Sequence, residues 1–319
     1  WRWAGGTHTL GATARLQGMG SIQFAGGTVT TLGTLNISGE LRATGGISVF
    51  GSGAQVLPIP RVVISGWGGR LEFNSGNDIV IGSLNQGGNL RGTDTLSITN
   101  AFTWTAGTHE GTGVTRVHSN AVFSIEGNEY KTLIGRLLQV DGQGAWSGTG
   151  GWTIGGKAEV RTYGPFDILN DATVSTAIGG WATDGLIHNF GQMTKTGSTG
   201  VTEFGPVFVN SGTVEISTGT LRLNTGGTNT GMFLVQTNAR LRIANGAHVL
   251  SAEGSIQGDG LLAISAGSLQ IDGSYQIATL MDNGTLRFNS PQVHITNSFV
   301  FDGGVVEGDA RLELNGTFD

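Results

Sequence analysis

The sequence predicts an all-β fold: a right-handed parallel β-helix (β-solenoid) with about three short strands per turn and turns of ~20–26 residues. Three observations predict it. A five-residue mark returns as GTLRL at 219–223, ARLRI at 239–243, GLLAI at 260–264, GTLRF at 284–288 and ARLEL at 310–314. The marks are 20, 21, 24 and 26 residues apart, with further short alternating runs between them, such as Ser268–Ile271 and Tyr275–Ile277. Glycine, at 57 of 319 residues with only 5 prolines, is about two and a half times as frequent as the usual ~7%. No window places apolar residues at i, i+3, i+4 and i+7 over a helical length, so almost no helix is expected.

Taken in order, the chain shows the pattern from its first residues. Trp1-Arg2-Trp3-Ala4-Gly5-Gly6-Thr7-His8 is echoed by Ser21-Ile22-Gln23-Phe24-Ala25-Gly26-Gly27-Thr28-Val29. Alternation over three to five residues bounded by glycine reads as strand and turn. Gln55 to Pro60 interrupts it with Pro58 and Pro60, and a residue without an N–H predicts a loop or a sheet edge there. The beat resumes at Arg70-Leu71-Glu72-Phe73. The block Ile98 to Trp104 then matches Ile295 to Phe301 at an offset of 197 residues, a repeat above the single coil.

Residues 1–319 are expected to form one continuous β-solenoid, with 128–185 less regular. Trp146, Trp152, Trp181 and the three lysines (Lys131, Lys157, Lys195) fall in or near that part. Asn189-Phe190-Gly191 and Asn210-Ser211-Gly212 repeat at a spacing of 21. That spacing predicts a coil that continues with larger loops, and a small β insertion is the rival.

Within a turn, Leu221 and Leu223 face one way around Arg222. Stacking places Leu241 with Ile243, and Leu262 with Ile264, in the same aliphatic columns, while Arg222, Arg240, Arg242 and Arg287 face water. Gly, Asn and Asp accept the positive φ of the corners. At ~4.8 Å per rung and about 22 residues per turn, the length corresponds to roughly 14 turns, right-handed by the usual crossover preference.

The charge balance narrows the partners. Net charge is −6 and charged residues are 13%, about half the usual ~25%, so solubility cannot rest on charge and the aliphatic rungs must be buried. With no basic stripe, nucleic acid is not an expected partner. No run of 18 apolar residues marks a membrane span. Zero cysteines exclude a disulfide framework and Cys-ligated zinc without fixing the compartment. The opening at Trp1, without an initiator Met or signal peptide, reads as a piece of a longer precursor. Neither end carries a capping helix or charged cover, so copies of the chain or neighbouring repeats are expected to stack end to end.

The marks Phe102 to Gly107, Lys131-Thr132-Leu133-Ile134-Gly135 and Asn210 to Thr228 resemble the β-solenoid repeats of very large bacterial surface and secreted proteins. Adhesins of the filamentous-haemagglutinin kind and autotransporter passenger regions share this style. The resemblance implies an elongated structural or adhesive role outside the cell or at its surface, and it transfers no functional residues.

A search for chemistry yields little. The six histidines (His8, His109, His118, His188, His248, His294) form neither HxH nor HExxH, so no metal site is expected, and His8 aligns with His109 as one repeat position. GxSxG, GxxxxGK[ST] and a strict GxGxxG are absent, and no cofactor is expected. A lyase or hydrolase on a β-helix needs converging carboxylates, whereas the acidic residues here lie mostly singly. Trp67, Trp104, Trp146 and Trp152 are the candidate contacts for surface glycans, because exposed rings stack on sugars. The competing reading is that they fill wide corners of the coil. Thr7/Thr9, Thr28/Thr30 and Thr228/Thr230 do not recur at the turn period, which argues against a threonine-ladder ice-binding face. The expectation is therefore a non-enzymatic extracellular structural module, with a carbohydrate-binding adhesin and a polysaccharide-degrading enzyme as alternatives.

Overall fold

The computed structural model describes residues 1–176, 184–281, 283–290, 292–295, 298–314 and 316–318. They form two compact units, Trp1–Val160 and a second of Arg161–Thr176 with Asp184–Asp319. The regular structure of the described residues is entirely β, and none of them is helical. Counted over both units, the chain makes a β-solenoid of about 14 turns with roughly three strands per turn.

In the first unit the inward positions of successive turns stack in parallel register. One column runs Ile22, Leu41, Val62, Leu84, Phe102, Phe123, and every member is almost fully buried. Two residues along, the next column runs Trp3, Phe24, Ala43, Ile64, Gln86, Trp104, Ile125, Trp146. Alternation within a strand and parallel stacking across turns together make the core. Each fully buried aliphatic side chain contributes about 1.5–3 kcal/mol.

The second unit is built the same way. Leu221, Leu241 and Leu262 stack, as do Leu223, Ile243 and Ile264, and all six are buried. Arg222 and Arg242 occupy the outward position between them. Beyond this point the register departs from the sequence marks. Leu262 pairs with Thr279 and Ile264 with Met281, so this turn takes 17 residues. The mark at 284–288 stacks instead on Ser268–Ile271, and Arg311–Leu314 stacks on Gln292–Ile295. The last two marks thus lie on other sides of the coil. A glycine followed by alternating apolar residues starts strands on every side, so the mark alone cannot identify the side.

Pro58 lies between strands as expected, whereas Pro60 differs. Pro60 lies inside the strand Ile59–Phe73, where the ladder skips it: Ile59 pairs with Ile81 and Arg61 with Ser83. Pro58 follows the two-residue strand Gln55–Val56, the last of a small three-stranded ladder with Arg15–Gly18 and Thr34–Ile37. Short parallel strands continue across the less regular region. In the first unit Lys131–Ile134 pairs with Trp152–Gly155, and in the second Phe166–Ile168 pairs with Met193 to Lys195. Trp181 and residues Thr296 and Asn297 of the long-range repeat lie outside the described residues.

Glycine is required where turns approach most closely. At Gly92 and Gly111, with φ of +128° and +123°, an added Cβ would sit 2.0 Å from the carbonyl oxygens of Phe73 and Gly92 respectively. No side chain fits against that backbone.

Candidate functional site

Three of the four candidate tryptophans are interior. Trp104 and Trp146 are 0% exposed and Trp152 is 3% exposed. Trp152 packs edge-on against both others, at 6.3 Å from Trp104 and 5.6 Å from Trp146. They fill the coil and present no ring face to a ligand, as the alternating Phe102-x-Trp104 pattern already allowed. Trp67 is different, at 62% exposed.

The column that holds Trp104 also holds Gln86, the start of a buried polar chain. Gln86 Nε2 donates to the carbonyls of Thr108 at 3.0 Å and Gly88 at 3.2 Å. Its Oε1 is therefore the atom 2.9 Å from His109 Nδ1, and Nδ1 must carry the proton. His109 Nε2 then accepts from the Thr115 hydroxyl at 2.9 Å, while Thr115 Oγ1 accepts from Arg136 Nε at 2.8 Å. The remaining guanidinium nitrogens donate to the carbonyls of Gly92 (2.8 Å), Asp94 (2.7 Å) and Val114 (2.9 Å). Burial, then the charge of Arg136, hold the His109 pKa well below its ordinary value. Burial brings Arg136 down to about 10, against the pull of Asp94. The Asp94 carboxylate accepts from the backbone of Ser75 and Gly76 and from the Ser75 hydroxyl.

The second unit carries its own interior polar ladder. Thr162 donates to Asn189 Oδ1 at 2.9 Å, Asn189 Nδ2 to Asn210 Oδ1 at 2.8 Å, and Asn210 Nδ2 to Asn229 Oδ1 at 2.6 Å. The amide groups also reach the carbonyls of Thr213, Met232 and Gly231. The third Asn-x-Gly triplet, Asn229-Thr230-Gly231, follows the second by 19 residues and was the overlooked sequence signal. Lys195, fully buried, donates to Asn170 O, Asp171 Oδ1 and Ser198 Oγ at 2.9–3.1 Å. Desolvation opposes ionisation of Asp171, but hydrogen bonds from Lys195 and Ser198 hold its carboxyl below the ordinary value.

The first unit also bears a surface groove of about 460 Å³. Its floor includes Val63, Asn85 and Thr103, which follow one another across three turns on the outward side. One wall is at Ser65 and Gly66, the other at Gly127, Asn128 and Glu129. Trp67 follows Gly66 on a loop of four residues, 66–69, where the next turn has only Gly88 between Gly87 and Asn89. Asn89 Nδ2 holds that loop by donating to the Trp67 carbonyl at 3.1 Å. The opposite wall is held from within: buried Lys131 donates to Glu129 O at 2.8 Å and Gly127 O at 3.4 Å. Burial lowers the Lys131 pKa, against the raising charges of Glu129 and Glu126.

Outward charges pair along and across turns. Arg91 meets Glu110 at 3.0 Å, Arg116 meets Asp141 at 2.5 Å and Arg222 meets Glu203 at 3.5 Å. Among the described residues, no group of three or more His, Asp or Glu is placed to hold a metal ion. Thr7 and Thr9 stack on Thr28 and Thr30, but the next turn offers Ile47 and Val49. No family model, no curated protein and no solved structure matches the chain.

Proposed function

We propose that this chain is a non-enzymatic structural module, a segment of an elongated β-solenoid stalk or filament outside the cell or at its surface. One observation carries the reading: the buried charged and amide side chains are engaged in holding turns together. Arg136 ties three backbone carbonyls and Thr115 to one guanidinium, Lys195 closes a corner, and Asn189, Asn210 and Asn229 hydrogen-bond turn to turn. Groups bound this fully are poor proton shuttles or nucleophiles, because each would have to leave its partners to react. The resemblance to large bacterial adhesins supports the placement at the cell surface. End-to-end association of copies or neighbouring repeats belongs to this reading, since the parallel ladder adds each turn by the same backbone pairing.

Negative-stain micrographs and sedimentation over a hundredfold concentration range test it. Elongated particles of uniform width that lengthen with concentration support the proposal. Compact particles of a single size at every concentration count against it, as does release of sugar products from polysaccharides incubated with the protein.

A further inference from the structure

Positions at this corner of the coil are mostly glycine or small, Gly45-Gly46 in one turn, Gly87-Gly88 in another and Thr105-Ala106-Gly107 in the next, and of these only Thr105 is exposed. The turn at 65–69 extends into a longer loop, as does the turn at 126–130, and the first of these carries Trp67, whose indole is 62% exposed. Leaving so large an apolar ring in water forgoes the stabilisation that burial would bring, and Asn89 fixes the loop that carries it. Across the groove Tyr130, next to Glu129, is 66% exposed. Buried Lys131 donates to the Gly127 and Glu129 carbonyls of that wall.

We propose that this groove binds a neutral polysaccharide, with Trp67 as the stacking platform at its rim. Asn85, Thr103 and Glu129 would serve as its hydrogen-bonding groups. A pyranose ring has an apolar C–H face and a polar edge, and the groove offers both kinds of partner. Exposed Trp67 adjoins the lining residue Gly66 and exposed Tyr130 adjoins Glu129, rings of the kind that stack on sugars, while the groove's surface alternates Val63 with short polar side chains at Ser65, Asn85 and Thr103. Its volume of about 460 Å³ falls within the ~300–1,000 Å³ typical of ligand sites. Charge selects the class of glycan. No Lys or Arg lines the groove, Glu129 does, and Glu126 is exposed beside it. An anionic polysaccharide would meet like charge, whereas a neutral one meets only acceptors and donors for its hydroxyls.

Titration calorimetry with cellohexaose, xylohexaose, maltohexaose and chitohexaose, and with polygalacturonate as the anionic comparison, tests the proposal. At least one neutral hexasaccharide binds, and Trp67→Ala weakens it at least tenfold with an unchanged melting temperature, since the ring is exposed. Trp67→Tyr, which keeps a flat ring, retains most of the affinity. Asn85→Ala and Thr103→Val each weaken binding several-fold, and Trp1→Ala, which removes a still more exposed indole elsewhere, leaves it unchanged. Failure of every neutral chain to bind, binding that survives Trp67→Ala, or tighter binding of polygalacturonate than of any neutral chain would overturn it. This readout is independent of particle length, so the scaffold reading and the groove stand or fall separately.

Discussion

The Nε2 of His109 lies 2.9 Å from the hydroxyl of Thr115, and that hydroxyl is already accepting from Arg136. Its own proton therefore points at the imidazole, which must be neutral. A second proton on the ring would face the Thr115 oxygen with the Arg136 cation directly behind it and the rings of Phe102 and Trp104 within 6 Å.

Acid should consequently weaken the first unit. Above about pH 6.5 the imidazole is neutral in both folded and unfolded chains. Below that, the unfolded chain takes up a proton that the folded one refuses, because burial and Arg136 lower the folded pKa. The unfolded state then binds more protons, and stability falls as pH falls. His248, lowered by burial against the raising hydrogen bond to Asn245 O, adds to the effect in the second unit. Calorimetric melts between pH 7.5 and 5.5 should move steadily downward, with a smaller slope in His109→Gln. A flat profile would contradict the neutral buried ring.

Arg136 should not be replaceable by lysine. Its fork reaches four acceptors at once, and an ammonium cannot reproduce that geometry. Removing it leaves buried carbonyls without donors, so Arg136→Met should cost about 3–5 kcal/mol, and Arg136→Lys should recover only part of that. Urea denaturation of both variants measures it. Amide exchange at Asp94 and Thr115 should quicken first.

The asparagine ladder should be weakest when cut in the middle. Asn210 both accepts from Asn189 and donates to Asn229, so Asn210→Ala strands an amide on one side and a carbonyl on the other. A loss of about 2–6 kcal/mol is expected, from ~1–3 kcal/mol for each of the two unsatisfied groups. Asn229→Ala, at the end of the ladder, should cost less. Equal losses from the two substitutions would show that the amides act independently.

Leu262 tests the apolar columns. It is fully buried, with Leu241 on one side and Thr279 on the other. Leu262→Asp places an unpaired carboxylate there and should open the stack at a cost of several kcal/mol. A thermal melt matching that of the parent would put this residue on the wrong face.

The histidines show how far sequence reasoning reached. His8 and His109 read as one repeat position, and they do share a column: His8, Val29, Ser48, Leu71, Leu90, His109. Yet His8 is exposed, with its Nε2 on Gly5 O at 2.9 Å, while His109 is 0% exposed. A repeat position specifies the side of the coil. It does not specify what the other sides send toward it.

The tryptophans teach the same lesson from the other direction. Phe102-x-Trp104 alternates like any rung, which suited an interior ring as well as a glycan contact, and the structure puts Trp104 inside. For Trp67 the deciding fact is the extra length of its loop relative to the next turn, which only the register reveals. The groove likewise depends on Gly127 to Glu129 standing across from residues some sixty positions earlier.

What the sequence determined by itself was the all-β coil and its three short strands per turn, because period-two alternation and glycine corners act over a few residues at a time. The inward set at Leu221, Leu223, Leu241, Ile243, Leu262 and Ile264 followed from the same local rule. Tertiary structure decided which strand stacks on which once turns shortened after Ile264, and which polar residues met inside. Those choices depend on contacts between residues some 20 or 40 positions apart, whose energies are set by mutual geometry and leave no signature in either segment alone.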